Sequence, residues 1–146
     1  MPVSAGAYVL LERDPGGAPF LPTRWLFVSG SIEYRHNPAG APAGIDAPDL
    51  VDQAFNTWTG VPSATITFTR GPDTTSFGFN FPDGENVISY DDPNDNLETG
   101  VLAATVIWVP DATTHGYQSM SFYEITQADI VFNDGVTFTD SDGASL

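Results

Sequence analysis

The sequence predicts an α+β fold: a twisted mixed sheet of about five strands with one long helix packed on it. Three observations carry this prediction. A well-capped amphipathic helix signature stands between the first and second of the strand-like runs. The runs themselves alternate with period two or are continuously apolar. Between them, 14 Gly and 12 Pro punctuate the chain with turns.

Residues 1–24 read as an N-terminal extension and 25–146 as the body, because Gly16 to Pro22 is rich in glycine and proline. Ala7-Tyr8-Val9-Leu10-Leu11 is a strand-like run inside the extension. In the body, Ser31-Ile32-Glu33-Tyr34-Arg35 alternates as a half-buried strand, and His36-Asn37-Pro38-Ala39-Gly40 ends it with turn chemistry. The helix is predicted from about Ala47 to Thr59. Asp46 is its cap, Pro48 and Asp49 suit the first turn, and Ile45 and Leu50 occupy the two staple positions. Leu50, Val51, Ala54, Phe55 and Trp58 form a stripe at helical spacing, predicted to be buried, and Gly60 and Pro62 stop the helix. Four strands follow: Ala64 to Thr69, Asn86 to Tyr90, Leu102 to Val109 and Ala128 to Asn133. A lone helix between the first two body strands implies a parallel crossover.

At 146 residues the chain has the length of one domain. Its charge is −15, from 19 acids against 4 arginines and no lysine. That balance excludes an electrostatic grip on nucleic acid or on an anionic membrane, both of which need clustered cations. Zero cysteines exclude disulfides, thiolate zinc sites and thiol nucleophiles. No apolar run reaches the ~20 residues of a membrane span. The first eleven residues lack the basic region of a signal peptide.

Catalytic motifs are sparse. His36 and His115 are the only histidines, neither has a second ligand at helical spacing, and a catalytic zinc needs about three protein ligands. No nucleophile elbow, P-loop or dinucleotide fingerprint occurs. Glu33 and Glu124 are the acids that an acid–base pair would use, but nothing in the sequence brings them together. The loop from Asp91 to Glu98 carries side-chain oxygens at Asp92, Asn94, Asn96 and Glu98, every second residue, as calcium loops do. Leu97 stands where an EF-hand would turn on glycine, and a solvated turn gives the same spacing. Thr139-Asp140-Ser141-Asp142-Gly143 has a similar but isolated look. Trp58 and Trp108 fall on runs expected to be core, which leaves Trp25 as the aromatic available to a carbohydrate platform.

In order, the elements resemble a secreted zinc metallopeptidase of the metzincin clan, matrixin type. Trp25, Ile32-Glu33-Tyr34, Asn37-Pro38, Ala54-Phe55-Asn56-Thr57-Trp58, Ile66-Thr67-Phe68 and Gly100-Val101-Leu102-Ala103-Ala104-Thr105 carry the resemblance. Ile125-Thr126-Gln127-Ala128-Asp129-Ile130-Val131-Phe132-Asn133 is its most telling stretch. The resemblance spans Trp25 to Phe138 and implies the upper subdomain of that fold.

The resemblance also implies an extracellular zinc endopeptidase acting on peptide or protein substrates, with zinc held by H-E-x-x-H-x-x-G-x-x-H. That motif is not in this sequence, so 1–146 is expected to stop short of the zinc helix and to be inactive alone. The histidine that animal matrixins carry near the fourth strand is absent as well, since Leu102-Ala103-Ala104-Thr105 stands there. The family's fourth strand is a sheet edge on which substrate lies antiparallel. Leu102, Ala103 and Ala104 are the matching substrate-binding positions, although the apolar run also suits an interior strand. The alternatives are a non-enzymatic, acidic, secreted binding domain stabilised by calcium, and a carbohydrate-binding module.

Overall fold

The computed structural model describes residues 12–13, 21–26, 31–62, 66–79, 81–110, 114–117 and 119–134. They form an α+β structure of nine strands and one helix, divided between two compact units. The larger unit comprises Phe27–Trp108 and Gln127–Leu146, and the smaller Met1–Leu26 and Val109–Thr126.

The smaller unit was not legible in the sequence as a sheet. Its strands are β1 (Glu12–Arg13), β2 (Leu21–Trp25), β7 (Thr114–Tyr117) and β8 (Met120–Ile125), in the spatial order β1-β2-β8-β7. β2 runs parallel to β8, while β7 and β8 form a tight hairpin whose turn residue Ser119 takes φ 69°. Inside this unit the Arg24 guanidinium lies 4.9 Å over the Phe122 ring. Strand β2, at the end of the segment read as an extension, is thus paired with a strand much later in the chain. Ala7 to Leu11 and Thr139 to Gly143 lie outside the described residues.

The larger unit is a five-stranded sheet, ordered β4-β3-β5-β9-β6, from β3 (Ser31–Asn37), β4 (Thr67–Arg70), β5 (Val87–Ser89), β6 (Ala103–Trp108) and β9 (Gln127–Phe132). β4, β3, β5 and β9 are mutually parallel, and β6 alone is antiparallel. Helix α1 (Ala47–Thr59) makes the crossover between the parallel strands β3 and β4. Its cap is as predicted, with Asp46 Oδ1 accepting from the Asp49 N–H at 3.1 Å.

The buried face of α1 differs from the predicted stripe. Leu50 is 49% exposed, Trp58 is 65% exposed and Ala54 is exposed. Ala47, Val51, Asp52, Phe55 and Thr59 are the residues turned inward. Phe55 is wedged between Tyr34 and Phe68, at centroid distances of 4.4 and 4.6 Å. The rotation has a polar cause: Asp52 is tied to three donors on the sheet, and Thr59 Oγ1 accepts from the Phe68 N–H at 3.1 Å. A stripe counted from apolar positions alone omits both residues. No helix among the described residues is long and apolar enough to cross a membrane.

Residues 71–79 and 81–86 follow β4, and Gly78 and Gly84 lie on the opposite face of the sheet, against β5 and β9. Gly71 and Thr74 continue the main-chain bonding of β4 onto Tyr34 and His36 carbonyls, at 2.8 Å each. Gly78 then packs against Val131 and Asp129 so closely that a Cβ at this position would overlap the Val131 side chain. Only glycine fits there.

Candidate functional site

β9 organises the side of the sheet that bears the candidate site. Gln127, Asp129 and Val131 point to the face on which Gly78 and Gly84 lie and are all buried. Asp129 Oδ1 accepts from the Val87 N–H at 2.9 Å, and its Oδ2 from Gln127 Nε2 at 3.0 Å. Gln127 Oε1 in turn accepts from the Gly84 N–H at 2.9 Å. Burial raises the Asp129 carboxyl above its ordinary range, and the bonds from Val87 and Gln127 oppose the rise only in part.

β6 is the outer strand on this side, paired along its whole length from Ala103–Phe132 to Trp108–Gln127. The Asn133 N–H donates to the Leu102 carbonyl at 3.0 Å, which makes Leu102–Asn133 a hydrogen-bonded pair. Antiparallel ladders alternate, so Ala104–Val131, Val106–Asp129 and Trp108–Gln127 are the next such pairs. The main-chain N–H and C=O groups of Ala103, Thr105 and Ile107 therefore point away from β9. No strand among the described residues pairs with that side of β6. Asn133 pins the entrance to β6, donating through Nδ2 to the carbonyls of Val101 at 2.8 Å and Glu98 at 3.3 Å.

Of the three positions expected to bind substrate, Ala103 alone turns its main chain to the open side. Leu102 and Ala104 spend theirs on β9, because strand geometry alternates with period two. Thr105 and Ile107 complete the outward set. Sequence reading missed them because which alternate set faces outward is decided by the register with β9.

On the helix side, Pro42, Ile45, Ala47, Leu50, Val51, Tyr90 and Phe132 line an apolar cleft of about 170 Å³. Phe132 is the cross-strand partner of Ala103, so the cleft lies one strand in from the open edge. Behind Tyr90 is a polar cluster. Tyr90 Oη lies 2.9 Å from His36 Nδ1, and His36 Nε2 lies 2.9 Å from Asp52 Oδ1. Asp52 also accepts from Tyr34 Oη at 2.7 Å and Arg70 Nη1 at 2.6 Å, while Arg70 Nη2 donates to Asp73 at 3.0 Å. Burial opposes charge on Asp52, but the bonds from Tyr34, His36 and Arg70 prevail and hold its carboxyl below the usual value. Burial, followed by the bond to Asp52, raises the Tyr34 phenol above its ordinary range, and burial does the same for Tyr90.

The acidic loop is organised around one carboxylate. Asp92 is 2% exposed, and it accepts from the Leu97 N–H at 2.6 Å and from Asn96 Nδ2 at 3.2 Å. Asn94, Asn96 and Glu98 are exposed. Both ring nitrogens of His36 are engaged, and His115 Nε2 lies 3.2 Å from Glu124 Oε2. Glu33 bonds Arg35 at 2.9 Å, so the two acids considered as a catalytic pair have partners of their own. Among the described residues, no three His, Cys, Asp or Glu side chains converge as a metal site, so these residues do not fit a catalytic zinc. Trp25 is half-buried in β2 opposite Ile125.

Comparison of the chain with protein-family models, curated proteins and solved structures gave no match.

Proposed function

We propose that this chain is the substrate-strand subdomain of a matrixin-like, secreted zinc endopeptidase, and that it binds an extended polypeptide along β6. One observation carries the reading. Among the described residues, β6 is the fourth strand of the larger sheet in chain order, lies at its edge, and is its only antiparallel member. The resemblance requires an edge strand at this place in the chain. The chemistry is strand addition: Ala103, Thr105 and Ile107 offer alternating donors and acceptors to a peptide backbone. Peptide-bond hydrolysis is not assigned to the described residues, which hold no zinc ligand set.

Thr105→Pro provides the test, since it deletes an outward N–H while leaving the β9 ladder intact. Mixed casein-derived peptides should protect the amides of Ala103, Thr105 and Ile107 from hydrogen exchange, and Thr105→Pro should abolish binding. Binding undiminished in Thr105→Pro would overturn the strand reading. The peptidase half is tested in the gene: an H-E-x-x-H helix is expected shortly after Leu146. A reading frame without it would leave a non-enzymatic strand-binding domain.

A further inference from the structure

We infer that the β6 edge selects extended peptides that carry lysine or arginine near both ends, an inference that rests on the strand-addition reading above. The observation behind it is how charge is distributed within the larger unit. Its two arginines, Arg35 and Arg70, sit on β3 and β4, at the far side of the sheet from β6. Both are consumed there: Arg35 bonds Glu33 and Glu85, and Arg70 bonds Asp52 and Asp73. Among the described residues of the larger unit, the β6 side carries acids and no arginine. Glu98 is exposed in the turn that Asn133 fastens to the start of β6, and exposed Asp134 follows Asn133. At the other end of the strand, exposed Asp83 precedes Gly84, whose N–H bonds the side chain of Gln127, the partner of Trp108.

Among the described residues of the larger unit, the edge is thus unpaired along its middle and flanked by acids at both ends. A six-residue strand spans roughly 20 Å, more than two Debye lengths at physiological salt, so charges beyond its two ends act separately. A peptide of about seven residues reaches both. The same charges decide against a second copy of this chain as the occupant. Two molecules of charge −15 repel, and an edge-to-edge pair would set these acids against one another.

Three capped peptides test this, each alternating threonine and valine between two terminal residues that are lysine, glutamine or glutamate. At low ionic strength the lysine peptide should bind about tenfold or more tighter than the glutamine peptide, and the glutamate peptide weakest. The gap should close in ~0.5 M salt. Glu98→Gln with Asp83→Asn, both at exposed positions, should shrink the lysine preference severalfold with unchanged binding of the glutamine peptide. Equal affinity for all three peptides, each lost in Thr105→Pro, would overturn the charge inference and leave strand addition standing. A lysine preference that survives in Thr105→Pro would overturn both, since it would mark diffuse attraction to an acidic surface. Concentration-dependent dimerisation that competes with the lysine peptide would overturn the choice of occupant.

Discussion

Nε2 of His36, a side chain with no solvent exposure, lies 2.9 Å from Oδ1 of Asp52 on helix α1. A carboxylate has only acceptor sites, so this nitrogen carries a hydrogen, and Tyr90 occupies the other side of the ring. Through this bond, and those from Tyr34 and Arg70, the helix is fastened to β3 and β4 by one acceptor group. It is the reason α1 presents Asp52 inward and Trp58 outward.

Removing that acceptor strands two donors in a buried place. Asp52→Ala is expected to lower stability by about 3 kcal/mol, the range for a buried partner left unsatisfied. Urea unfolding measures it. A loss under about 1 kcal/mol would mean that the apolar contacts of Phe55 and Val51 hold the helix without the clamp.

Acid sensitivity follows from the same group. The Asp52 carboxyl is held below its ordinary value of 3.8, so the folded state binds its proton less readily than the unfolded chain does. Its stabilisation is complete above that ordinary value and disappears as pH falls through the depressed one. Asp129, raised by burial, has the opposite sign: its stabilisation is present at low pH and is lost as pH rises through its elevated value. Unfolding free energy measured from pH 6 to pH 2 should fall less steeply in Asp52→Asn than in the parent. Superimposable slopes would remove Asp52 from the acid transition.

The helix face is open to a paired comparison. Phe55→Ala should cost about 3 kcal/mol, because it empties the space between Tyr34 and Phe68. Trp58→Ala should change stability by less than about 1 kcal/mol, since most of that side chain is in water. Reversed magnitudes would restore the stripe read from apolar spacing.

Asp92→Ala is expected to destabilise by about 1–2 kcal/mol through loss of its bonds to Leu97 and Asn96. Those bonds are internal to the loop, so thermal melts should show the same loss with and without a calcium chelator. A loss seen only in calcium-containing buffer would assign the carboxylate to a cation.

Signals confined to a few neighbouring residues were enough for the helix. Asp46, Pro48 and Gly60 bound it, and its limits agree with the structure. The same is true of the parallel crossover and of the strands ending at Trp108 and Phe132, whose apolar runs and breakers are local. The hairpin of β7 and β8 was not legible, because Thr114-His115-Gly116-Tyr117 lacks an apolar alternation and gains its pairing from β8.

The sequence by itself thus determined the fold class, the helix ends and the acidity of the surface, since each depends on composition or on residues within one turn or strand. Only the tertiary structure decided which face of α1 is inward and which main-chain groups of β6 are outward. Both choices are made by partners far along the chain: Tyr34, His36 and Arg70 for Asp52, and Asn133 for Leu102. Apolar periodicity cannot register a half-buried carboxylate that gains three donors, nor tell which alternate amides of a strand its neighbour has taken.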